Sequence, residues 1–104
     1  MSVFQALATF ISGVLLANFV PHFVEGMAGR PFPTPFADPP FRGLSSPIVN
    51  VLWALANLAV AYLLAFVLGH VEVGRLASVG PALGGFALGA VAVSRSVGRA
   101  RAGL

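Results

Sequence analysis

The sequence predicts an all-α membrane protein of three transmembrane helices, the first two forming a hairpin joined by a Pro/Phe-rich loop. Three observations carry that expectation. The chain is 58% apolar and 9% charged over 104 residues, whereas ordinary soluble domains carry roughly 25% charged residues. It holds three long stretches without any charge, and its six arginines flank those stretches instead of clustering with aromatics. A soluble fold of this size needs a charged exterior, and the uncharged stretches have nothing to supply one. One domain, residues 1–104, accommodates the whole chain.

The first span is expected over about residues 2–24. Between Met1 and Val24 the only polar side chains are Ser2, Gln5, Thr9, Ser12, Asn18 and His22, and the run exceeds the ~20 residues needed to cross hydrocarbon. It lacks the basic start and short apolar core of a cleaved leader, so it is expected to be retained. The second span, residues 47–68, is free of charge and opens on Ser45-Ser46-Pro47. A serine there caps free backbone N–H groups, and proline suits the first helical turn. The third, residues 76–94, lies between Arg75 and Arg95 and contains Gly80, Pro81, Gly84, Gly85 and Gly89. These lower helix propensity, but hydrocarbon imposes a helix because each unsatisfied backbone group there costs several kcal/mol. An ordered loop at 26–46 and a basic tail at 95–104 complete the chain.

Three spans put Arg75 alone on one side and Arg30, Arg42, Arg95, Arg99 and Arg101 on the other. The positive-inside rule then places the loop and C-terminus in the cytoplasm and the N-terminus in the periplasm of a cell inner membrane. In the loop, "RPFPTPFADPP" carries five prolines, which fix their own φ and push preceding residues to extended conformations. The segment reads as stiff, with Phe32, Phe36 and Phe41 packed into the headgroup boundary or across the helix ends. A ligand for an aromatic groove is the rival reading.

Depth matching across the hairpin pairs positions whose numbers sum to about seventy-two at 1.5 Å per residue, which sets His22 opposite Asn50 and Asn18 near Ala54, with Asn57 a turn deeper. Asn18, His22 and Glu25 share one face of the first helix; Asn50, Trp53 and Asn57 share one face of the second. Together they are expected to form a polar seam that is either structural or a route for protons or a small solute, since polar groups in hydrocarbon turn toward neighbouring helices. Pro21 is expected to kink the first helix beside it. In the third span Gly80, Gly84, Gly85 and Gly89 match the small-xxx-small pattern of close helix packing, within one chain or between copies.

Other chemistries are poorly served. Without cysteine there are no disulfides or thiolates, and the arginine pattern argues against nucleic acid. No metal site is expected from "HFVE", because bundle metal centres draw such pairs from several helices. His70 and Glu72 read as a solvated loop pair. No cofactor is expected, and no catalytic residues are assigned: Thr34, Ser45 or Ser46 near His22 is the sole loose nucleophile and base arrangement.

"NFVPHFVEG", "PFPTPF", "GLSSP" and "NVLW", in that order, resemble a family of small bacterial inner-membrane proteins of uncharacterised function. The resemblance covers about residues 18–57 and implies that Asn18, Pro21, His22, Phe23, Thr34, Pro35, Phe36, Ser46, Pro47, Asn50 and Trp53 are signature positions. It implies no activity. Ala54 stands where such proteins commonly have glycine, so close packing there is expected to differ. The expected partners are the lipid bilayer and a homo-oligomer or larger membrane-protein complex. The expected role is a non-enzymatic accessory or assembly subunit; the alternative is an oligomeric transporter or channel using the seam.

Overall fold

Ser2 starts the first helix by a reciprocal cap, its hydroxyl accepting from the Gln5 N–H at 3.0 Å while Gln5 Oε1 accepts from the Ser2 N–H at 3.0 Å. The computed structural model describes residues 1–102, and among them this helix, α1, spans Val3–Met27 and runs unbroken through Pro21. A second helix, α2, spans Pro47–Tyr62, with Ser46 capping Val49 N–H at 3.2 Å and Pro47 in the first turn. It continues as a π-helical segment, Leu63–Leu68, which ends at Gly69. A third, α3, spans Leu76–Ala102. The fold is all-helical, and each of these three helices is long and apolar enough to cross a membrane. The molecule measures 43 × 23 × 19 Å, and its long axis matches the ~40–45 Å of a bilayer with its headgroups.

α1 is the central element. It touches both other helices along their lengths, while α2 and α3 barely meet. Ser12 Oγ–H donates to the Ala61 carbonyl at 2.7 Å, Asn18 meets Asn57, and His22 meets Asn50, so α1 and α2 run in opposite directions. Phe10 lies against Gly85, and Val14 and Ala17 lie against Gly89, so α1 and α3 run in the same direction.

The α1–α3 contact depends on missing side chains. A Cβ on Gly85 would overlap the Phe10 carbonyl, one on Gly13 would overlap the Ala82 carbonyl, and one on Gly89 would sit 3.0 Å from Ala17 Cβ. Backbone approach this close is what small residues permit between membrane helices. Gly80 has open space around it and Gly84 reaches only the rim of the Phe10 ring at 3.9 Å. Of the four glycines expected to pack helices, then, Gly85 and Gly89 let the backbones of α1 and α3 approach, while Gly84 meets only the edge of a side chain and Gly80 meets nothing.

Two boundaries differ from the sequence expectation. The second helix changes to π-helical pitch at Leu63, a widening that apolar periodicity does not encode. The tail is helical as far as Ala102, with Arg95, Arg99 and Arg101 carried on the final turns of α3; Arg99 and Arg101 thereby stand among the free carbonyls of a helix C-terminus, where cations are favoured. Residues 103–104 of the expected tail lie outside the described residues.

The loop is ordered by a short antiparallel bridge between Phe32 and Ser45, whose amides and carbonyls exchange hydrogen bonds of 3.2 and 3.0 Å. Within it the Thr34 carbonyl accepts from the Ala37 and Phe41 amides. The last turns of α3 lean on this loop, burying Ala100.

Candidate functional site

Asn50 is fully buried one turn into α2. Its Nδ2 lies 3.1 Å from the Phe32 carbonyl, 3.2 Å from that of Ser45 and 3.0 Å from that of Ser46. Three carbonyl oxygens can face only the NH2 end of an amide, which has two hydrogens, so one of the bonds is shared. The other end of the amide, Oδ1, therefore faces His22 Nδ1 at 2.7 Å. An amide oxygen only accepts, so His22 carries its proton on Nδ1, and in the neutral ring Nε2 presents a lone pair. The buried imidazole also packs edge-on against Phe32, with ring centroids 5.2 Å apart. One asparagine thus ties α1, α2 and both ends of the loop.

A second pair lies deeper. Asn18 Nδ2 donates to Asn57 Oδ1 at 3.1 Å, and Asn57 Nδ2 donates to the Trp53 carbonyl at 2.8 Å. Asn18, His22, Asn50 and Asn57 thereby form two separate rungs between α1 and α2. Trp53 is alongside, but through its ring: it packs edge-on against Phe36 at 5.0 Å, and its Nε1–H is buried without a hydrogen-bond partner among the described residues. Glu25 is not joined to His22. Its carboxylate is held by Arg30, with Nε at 2.7 Å and Nη2 at 3.2 Å, a pairing that closes the first turn of the loop back onto the end of α1.

The residue types that complete the site came with weak signals in the sequence. Thr34 and Ser45 are buried and share a hydrogen bond between their hydroxyls. Thr34 Oγ1 also accepts from the Phe36 amide at 3.1 Å, the local turn that Thr forms with the residue two places on. A threonine between two prolines was the available hint. No hydrogen bond joins His22 to either hydroxyl among the described residues, so nucleophile and base are not paired here. No group of three His, Cys, Asp or Glu that could hold a metal occurs among them either.

Between these elements lies a half-open cavity of about 250 Å³, lined by Asn18, His22 and Trp53 from the α1–α2 pair, by Phe41 from the loop and by Val93 and Ser96 from α3. It exists because α2 and α3 both rest on α1 without closing on each other. Polar residues thus stand on one wall of this space, Asn18 and His22 from α1 and Trp53 from α2, with apolar side chains over much of the remainder. No family model, curated protein or solved structure matches the chain.

Proposed function

We propose that the chain is a non-enzymatic accessory or assembly subunit of a membrane-protein complex in the bacterial inner membrane, and a member of the small family that residues 18–57 resemble. Its N-terminus is periplasmic, and its loop and C-terminus are cytoplasmic. What supports this reading is the use to which Asn50 is put: one end of its amide holds both ends of the loop and the other ties them to His22 on α1. The other asparagines of the first two helices, Asn18 and Asn57, are likewise hydrogen-bonded within the fold. The product of these bonds is a presented surface, with Phe36 67% exposed and Leu44 54% exposed on a backbone that cannot collapse. A preorganised apolar surface lowers the ordering cost of docking.

The test is purification from native membranes in mild detergent with quantitative mass spectrometry, comparing the wild type with Phe36→Ala. A stoichiometric partner is expected, lost or strongly reduced in the variant at equal abundance. Recovery of the chain as a homo-oligomer alone, or a partner indifferent to the loop, would sink the proposal. A C-terminal reporter behaving as periplasmic would separately overturn the orientation.

One observation favours a second reading, an oligomeric transporter or channel: a half-open cavity is lined by Asn18, His22 and Trp53 of the α1–α2 pair. On that reading His22→Gln abolishes proton or solute flux into liposomes while the protein remains at normal abundance. Flux unchanged by the substitution removes it.

A further inference from the structure

We propose that the groove where the loop meets the last turns of α3 is a binding site for an anionic phospholipid, its phosphate held by Arg42, Arg95 and Arg99. The groove has a volume of about 500 Å³, and all three guanidinium residues line it. Arg95 and Arg99 are four apart on one face of α3, where like charges repel, and Arg42 arrives from the loop to make the field stronger. Among the described residues none of the three is in an ion pair: Glu25 is taken by Arg30, and Glu72, near the other end of the molecule, by Arg75. Asp38 does not line the groove. Three arginines lining one groove that no carboxylate lines match a phosphate, whose oxygens accept from guanidinium forks.

The apolar half of the groove decides between a lipid and a soluble anion. Leu88 and Val91 continue the lining below the arginines, and both are exposed. Leu88 to Arg99 spans roughly 16 Å along the helix, close to the ~15 Å thickness of one hydrocarbon leaflet. A phosphate at the arginines therefore places an acyl chain along Leu88 and Val91 at its natural depth. A free phosphate uses only the upper half. Basic pockets beside membrane helices are suited to such headgroups.

The position of Arg42 is fixed by the loop backbone. Phe41, which also lines the groove, adopts φ 64°, a left-handed conformation that a bulky aromatic rarely takes and that marks a position held by its surroundings. Its amide is anchored on the Thr34 carbonyl at 2.9 Å, and the next two amides, Arg42 and Gly43, both donate to the Pro39 carbonyl at 3.1 and 2.8 Å. The loop thus turns sharply at the residue that faces α3.

Native mass spectrometry of the full chain in mild detergent tests this, with phosphatidylglycerol or phosphatidylcholine of identical acyl chains added. The wild type is expected to retain phosphatidylglycerol over phosphatidylcholine. At about 1 kcal/mol per arginine, Arg95→Gln should weaken retention roughly five-fold and the triple Arg42→Gln, Arg95→Gln, Arg99→Gln variant roughly a hundred-fold. Arg75→Gln, far from the groove, should leave it unchanged. Equal retention of the two lipids by the wild type overturns the proposal, and that comparison does not depend on any variant folding. So does an equal loss in Arg75→Gln, which means diffuse surface attraction, or full competition by glycerol phosphate, which means a site for soluble anions.

Discussion

Replacing Asn50 separates a rigid structural seam from a set of incidental contacts. Its side chain makes four hydrogen bonds, one to His22 and three to carbonyls. Those carbonyls are not orphaned when it is removed: Phe32 O still accepts from Ser45 N–H, Ser45 O from Phe32 N–H, and Ser46 O from Asn50's own N–H. The group left stranded is His22 Nδ1–H, in a residue 5% exposed. Membrane hydrogen bonds average about 0.6 kcal/mol each, so four contribute about 2.5 kcal/mol. Stranding the His22 donor alone costs about 1–3 kcal/mol, a range that brackets the sum over the four bonds. Asn50→Ala should therefore destabilise by about 2–3 kcal/mol in a reversible detergent unfolding titration. Asn50→Asp should be worse although it is isosteric, since it turns a carboxylate oxygen on three carbonyl oxygens. In a double-mutant cycle with His22→Ala, the coupling should be about 1–2 kcal/mol. An Asp variant milder than the Ala variant, or a coupling near zero, would refute the assignment of the amide and with it the tautomer of His22.

Other positions give sharper contrasts. Gly85→Ala should destabilise by about 1–3 kcal/mol, because the new methyl meets the Phe10 backbone and has nowhere to move; Gly80→Ala, with open space around it, should be neutral or stabilise by up to about 1 kcal/mol through helix propensity. The same unfolding titration reads both, and equal effects would contradict the α1–α3 register. Thr34→Val keeps the shape but removes the hydroxyl that serves Ser45 and the Phe36 amide, so it should cost about 1–2 kcal/mol. It should also speed tryptic cleavage after Arg42, which a loop ordered by other contacts would not show.

Much of this arrangement is legible in the chain because the membrane simplifies the reading. Uncharged length gives the helices, and the count from the two ends of the loop puts His22 opposite Asn50, the positions the structure holds 2.7 Å apart. The same count leaves Asn18 near Ala54, whereas its amide reaches Asn57: depth fixes a position along the axis to within a turn, and side-chain length spans the remainder. Glu25 shows a different limit. Helical spacing puts it on the His22 stripe, yet Arg30 lies five residues on, where the chain has left the helix and doubles back. A carboxylate near the interface takes the guanidinium in preference to a neutral imidazole, since a charged partner is the stronger one. The choice of Gly85 and Gly89 over Gly80 and Gly84 was closed to sequence reasoning for a geometric reason. Both pairs obey the same spacing, and only the rotation of α3 about its axis, set by Gly13 and Phe10 on α1, selects between them.

The two faces of α1 work by different physics, and that division locates the site. Toward α2 it presents Ser12, Asn18 and His22, each hydrogen-bonded across the interface; toward α3 it presents Gly13 and Ala17, which offer close approach and no directional bond. The α2 face is consequently fixed in register, because sliding by one residue breaks every rung. On the α3 face, among the described residues, register is held by the interlocking of Gly13, Gly85 and Gly89 with the facing backbone and by no side-chain hydrogen bond. The far end of α3 adds a further hold, where Ala100 is buried against the loop that Asn50 anchors. Both cavities at that end, the one beside His22 and the one beneath Arg42, have α3 as one wall and the loop as another. Any event that loosens Asn50 therefore reaches both cavities through the loop, while the helix pair beneath can stay in register through Ser12 and Asn18.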